Sequence, residues 1–117
     1  MFSVSSKDDI GNLLHRLGLS SKYNGFSYIY DALYIMREDM TYRLKPLKYL
    51  YIRIANGYKC NYKVVERDIR NCIEKSWYKT TYETIKEIFG STLNFEDSRP
   101  TNREFLLNIF DFLKFNK

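Results

Sequence analysis

Two cysteines and one histidine are all the soft metal-ligating side chains in this 117-residue chain. Cys60 and Cys72 have no CxxC spacing and His15 stands alone, so neither a zinc site nor a disulfide framework is expected. The expectation is no metal and no cofactor. Catalytic signatures are missing as well. No Ser or Cys joins a His and a carboxylate in a recognisable local pattern, and no glycine-rich phosphate loop occurs among the five glycines. This argues against an enzyme. Nothing approaches the roughly 18 apolar residues of a spanning helix, and Met1 to Lys7 lacks a basic stretch followed by an apolar block. A cytoplasmic protein without a membrane partner is expected.

What is present fits one globular domain over residues 1–117. Hydrophobic residues make up 44% and charged residues 28% of the chain, which is too apolar for a disordered segment. Folding at this length buries roughly two thirds of the unfolded surface. The net charge of +5 is unevenly distributed. Between Tyr42 and Lys79 ten Lys and Arg residues face Glu66, Asp68 and Glu74, a local +7 that leaves −2 for the rest. A basic middle in a mildly acidic protein suits a polyanion, and without a long basic amphipathic membrane helix nucleic acid is favoured over lipid.

Breakers divide the chain into about six helical segments with no good alternating strand, so an all-α bundle is expected. Ser6 can cap a first helix carrying Ile10, Leu13, Leu14 and Leu17 on its apolar stripe, ended by Gly18. A second runs from about Gly25 to Asp39 with Ile29, Leu33 and Met36 inward. Pro46 suits the first turn of a third, which contains Leu47, Leu50, Ile54 and Ala55. The break from Asn56 to Asn61 then leads into a fourth, capped by Asn61 and running from Tyr62 to about Trp77. Thr80 with Glu83 and Thr101 with Glu104 are capping-box patterns for two more helices. The loop from Ser91 to Pro100 lies between them. Phe105, Leu106, Ile109, Phe110 and Leu113 follow at core spacing, with Phe112 and Phe115 as surplus aromatics.

The third and fourth segments with their short turn read as a helix-turn-helix. Val65, Ile69, Cys72 and Ile73 recur at helical spacing and should face the core, with Cys72 a small buried hydrophobe. Ile54, Ala55 and Tyr58 should be buried beside them. Lys63, Glu66, Arg67, Arg70 and Asn71 fall on the opposite face, as a DNA-reading helix requires. Asp68 fits this pattern poorly and should turn outward or pair with a base such as Arg53. Arg99, near the end of the loop, could touch a phosphate.

Leu50-Tyr51 with Ile54-Ala55, Val65-Glu66-Arg67 with Ile69-Arg70, Trp77, Phe89-Gly90 with Thr92, and Pro100-Thr101-Asn102 with Glu104-Phe105 together resemble the DNA-binding output domain of the stage 0 sporulation protein A family of response regulators. Gly25 and Ala32 also match, and the resemblance runs without a gap from about Ile10 to Phe105. It implies a six-helix domain whose fourth helix enters the major groove at short boxes resembling TGTCGAA, docking as tandem copies or a homodimer. Arg67 would donate to guanine O6 and N7, and Glu66 would accept from cytosine N4. The base-contacting set implied is Lys63, Val64, Glu66 and Arg67. Backbone contacts would come from Asn61, Arg70, Asn71, Lys59 and Arg99.

Departures from the family accompany the matches. Val64 stands where the family usually has a guanine-reading arginine, and Asn71 replaces a histidine that approaches the backbone. The family's receiver domain is not expected here, because Asp8 and Asp9 suit a first helical turn better than an acidic phosphorylation pocket. The leading expectation is a sequence-specific transcriptional regulator of double-stranded DNA. The alternative is an interaction module or antagonist that keeps the fold without operator recognition and pairs with a related full-length regulator. Val64 and Asp68 favour the alternative; Glu66 and Arg67 oppose it.

Overall fold

The computed structural model describes residues 6–90 and 99–115, with side chains from residue 9 onward. The regular structure in these residues is helical throughout: α1 (Ser6–Arg16), α2 (Asn24–Glu38), α3 (Leu47–Tyr58), α4 (Tyr62–Ser76), α5 (Tyr82–Phe89) and α6 (Asn102–Phe115). The expected all-α bundle of six helices is what forms. Any capping by the Ser6 side chain, the loop from Ser91 to Ser98, and Thr92 lie outside the described residues.

Each apolar stripe finds the core. Ile10, Leu13 and Leu14 of α1 and Leu17 just past its end are buried, as are Ile29, Leu33 and Met36 of α2 and Val65, Ile69, Cys72 and Ile73 of α4. At the far end Trp77 packs edge-on against Phe89 at 5.3 Å, and Phe89 lies 5.9 Å from Phe105 between ring centroids. Phe105, Leu106, Ile109 and Phe110 of α6 are buried, Phe112 and Leu113 pack at the core margin, and Phe115 is exposed. Central in this assembly is α4, which packs most extensively against α2 and α3.

The approach of α2 to α4 depends on Gly25. A Cβ there would run into the Asp68 carbonyl oxygen and would stand 2.5 Å from Cys72 Cβ. Only glycine lets the two backbones lie this close.

Several boundaries differ from the sequence expectation for local reasons. Helix α3 does not break at Asn56 but runs on through Tyr58, leaving only Lys59, Cys60 and Asn61 as the turn. Lys59 closes α3 in the left-handed conformation, φ 56°, where glycine would be the usual residue. Pro46 sits just outside α3 as its capping residue rather than in the first turn. Helix α4 ends at Ser76, and Trp77 begins a 3-10 turn, Trp77–Lys79. A second 3-10 turn, Met40–Arg43, follows α2 because the Asp39 carboxylate accepts from the Thr41 amide at 3.0 Å. Thr81, not Thr80, caps α5, its hydroxyl accepting from the Thr84 amide, while the Thr80 hydroxyl donates to the Arg16 carbonyl. The Thr101 and Glu104 capping box forms in both directions, at 3.1 and 2.8 Å.

Candidate nucleic-acid interface

The short turn and the cap at Asn61 set the direction of α4. The Asn61 side chain accepts from the Lys63 amide at 2.8 Å, fixing the first turn of the helix. With one face sealed by Val65, Ile69, Cys72 and Ile73, the remaining positions point outward. Lys63, Glu66, Arg67 and Asn71 are exposed, while Val64 and Arg70 are partly covered. Val64 does not pack against the core cluster.

Tyr58 departs from expectation. It is 47% exposed rather than buried, and its hydroxyl donates to Asp31 Oδ2 at 2.6 Å, clasping the end of α3 to α2. Its ring meets Tyr28 edge-on at 4.9 Å. Partial burial, reinforced by the Asp31 carboxylate, pushes the phenol up to about 12. The Cys72 thiol is pushed up to about 11 by burial, so a nucleophilic thiolate is essentially absent at neutral pH. That leaves Cys72 the packing role its stripe position implied.

The ten basic residues of the middle segment are not equivalent. Arg43 is chelated by Asp111 at 2.6 and 3.0 Å, Lys45 and Arg53 lie on the Tyr42 ring, and Lys75 sits 4.4 Å from the Tyr23 ring centroid. These side chains are engaged in holding the fold. Lys59 and Lys63 make no side-chain ion pair among the described residues. Asp68 does not reach Arg53 but pairs with Arg67, Nε to Oδ1 at 3.2 Å, with the carboxylate 18% exposed and the guanidinium 64% exposed. Glu66 makes no ion pair among the described residues. Arg70 pairs with Glu74, Nε to Oε2 at 3.4 Å, and Arg99 Nη2 approaches the same oxygen at 3.8 Å.

Beside α4 lies an open groove of about 720 Å³. Lys63, Glu66, Arg67 and Arg70 form one wall, the start of α3 with Lys48 and Tyr51 another, and the start of α6 with Asn102 and Arg103 a third. Arg70 Nη1 donates to the Pro100 carbonyl at 2.8 Å. The Asn102 amide nitrogen donates to the Tyr51 hydroxyl at 3.0 Å and to the Glu66 carbonyl at 3.1 Å. Burial raises the Tyr51 phenol, and the Asn102 bond partly opposes this. Arg70 Nε and Nη2 and Asn102 Oδ1 are buried without a hydrogen-bond partner. Asn71, by contrast, turns to the α2 side, into a small pocket of about 160 Å³ with Gly25, Asp68 and Lys75. The structure thus gathers Lys63, Glu66, Arg67 and Arg70 at one groove, sets Lys59 and Asn61 at the turn, and separates Asn71 from them.

This arrangement, a basic helix face beside an open groove, meets a direct comparison. The family model described as the sporulation initiation factor Spo0A C-terminal domain matches residues 10–113. The chain belongs to that family. Spo0A C-terminal domains are DNA-binding sporulation regulators and not an enzymatic family, and this chain is accordingly a DNA-binding, transcription-regulating domain. No helix among the described residues is long and apolar enough to cross a membrane. Sequence reasoning missed Lys48, Tyr51, Asn102 and Arg103 as neighbours of the Spo0A-type α4. The family resemblance included Tyr51 and Asn102 without placing them at the site, and the capping box at Thr101 placed Asn102 at a helix start.

Proposed function

We propose that α3, the Lys59 to Asn61 turn and α4 act as a helix-turn-helix that places α4 in the major groove of a short box resembling TGTCGAA. Lys63, Val64, Glu66 and Arg67 face base edges. Asn61, Lys59, Arg70 and Arg99 approach the phosphates, and Asn71 does so from the α2 flank of the helix. Tandem copies or a homodimer on adjacent boxes follow from the family resemblance.

The observation that carries this reading is Glu66, an exposed carboxylate with no ion pair among the described residues, set in a stripe with Lys63, Arg67 and Arg70. Phosphates repel it, so affinity alone would disfavour it; accepting from a cytosine amine accounts for it. Arg67→Ala should then cost about 2 kcal/mol on a matched duplex, within the range of one bidentate base contact, and far less on a scrambled one. Fluorescence anisotropy with both duplexes reads the difference. Equal losses remove Arg67 from the base-reading set.

The Arg67 to Asp68 ion pair supports a second reading, an antagonist that keeps the fold and pairs with a related full-length regulator. A chain that shows no affinity for either duplex selects that reading.

A further inference from the structure

A helix with its side chains is about 10 to 12 Å across, and the B-DNA major groove is about 12 Å wide. A helix seated there has a phosphate strand close against each flank. One flank of α4 is the wall of the groove described above. Lys63, Glu66, Arg67 and Arg70 follow one another at i, i+3, i+4 and i+7, so they form a single stripe along it. Across from them stand two basic side chains from other helices. The Lys48 ammonium lies 5.3 Å from the Tyr62 ring centroid, which directs it toward the start of α4. Arg103 is exposed and makes no ion pair or hydrogen bond among the described residues. Five basic side chains thus surround the groove against one acid, Glu66. In the same wall Arg70 Nη2 is a buried N–H donor with no hydrogen-bond acceptor among the described residues, while Nε faces the Glu74 carboxylate at 3.4 Å. Buried donors are normally matched, and Nη2 is the Arg70 nitrogen that no acceptor among the described residues engages.

We infer that this groove seats one phosphodiester strand of the bound duplex, with Lys48 and Arg103 as phosphate contacts on its far walls. The inference rests on the major-groove docking proposed above and extends the footprint from α4 to the starts of α3 and α6. Lys48 and Arg103 contact no base in this arrangement. Their contribution is therefore independent of sequence and carried by counterion release.

The test is duplex binding across a series of salt concentrations for the unaltered chain, Lys48→Ala, Arg103→Ala and the pair together. Each single substitution should lower the slope of log affinity against log salt by about 1, and the pair by about 2. Matched and scrambled duplexes should weaken alike, by several-fold to roughly tenfold per substitution at physiological salt. Both side chains are exposed, so circular dichroism should show an unaltered fold. Lys86→Ala on α5 removes one charge outside the groove and should leave the slope unchanged. A slope lowered equally by Lys86→Ala would reduce the effect to net charge and overturn the inference. Unchanged slopes for Lys48→Ala and Arg103→Ala, with Arg67→Ala still losing specificity, would overturn the groove while sparing the docking. No duplex binding by the unaltered chain would overturn the docking and the groove together.

Discussion

Helix α4 is held on two flanks by different physics. Toward α2 the contact is backbone against backbone, made possible by Gly25 lying on the Asp68 carbonyl and Cys72. Toward α6 it is made by polar groups, Arg70 to the Pro100 carbonyl and Asn102 to the Glu66 carbonyl, and Arg70 Nη2 remains unmatched among the described residues. Close packing has one good geometry and little tolerance, so the α2 flank fixes the helix axis. Hydrogen-bonding groups at an open groove retain capacity for another molecule. In the proposed reading, fold and recognition fall on opposite sides of one helix.

The largest effect should come from the close-packed flank. Gly25→Ala forces a methyl group against a backbone carbonyl that cannot swing aside, and should cost about 3 kcal/mol, at the upper end of overpacking. Urea unfolding measures it. A loss below about 1 kcal/mol would mean that α2 and α4 separate easily, and the contrast between the flanks would disappear.

On the outward side the same helix should accept change without loss of stability. Val64 is off the core cluster and stands where the family resemblance has a guanine-reading arginine. Val64→Arg should leave unfolding unaltered and sharpen discrimination at one base pair by something on the order of 1 to 3 kcal/mol. Competition among duplexes varied one base pair at a time shows which position responds. An unfolded variant would place Val64 inside, while a folded one with unchanged preference would contradict the docking.

The smallest effect belongs to the turn that joins the two sides. Lys59 holds φ 56°, a conformation that costs a non-glycine residue roughly 1 to 2 kcal/mol, part of which glycine gives back through unfolded-chain entropy. Lys59→Gly should stabilise by about 1 kcal/mol or less and, if the ammonium meets a phosphate, weaken duplex binding. A midpoint that falls would show that the lysine stem stabilises the turn by packing.

The contrast between flanks also explains what could be read from residues alone. Stripes such as Val65, Ile69, Cys72 and Ile73 were legible because burial repeats with the helical period. The end of α3 was not, since a lysine in the left-handed region leaves no glycine to mark it. Thr80 and Thr81 are adjacent and chemically alike, so composition could not choose the cap. The outward set of Lys63, Glu66 and Arg67 was legible from the same periodicity. Lys48 and Arg103, across a groove from Lys63, are brought there by tertiary approach. No local pattern encodes them, which is why half of the groove was invisible in the chain.

The Thr80 hydroxyl on the Arg16 carbonyl, with Arg16 paired to Glu87 at 2.7 Å, joins positions 64 and 71 residues apart. Gly18 fits into the same contact, where a Cβ would stand 3.1 Å from the Ser76 carbonyl oxygen. Loop-closure entropy makes such a junction slow to form compared with α3 and α4, whose partners are separated by a three-residue turn. The helix pair proposed to read DNA can therefore assemble early from local contacts, and the junction around Arg16 and Gly18, which needs far longer loops closed, is expected to form later.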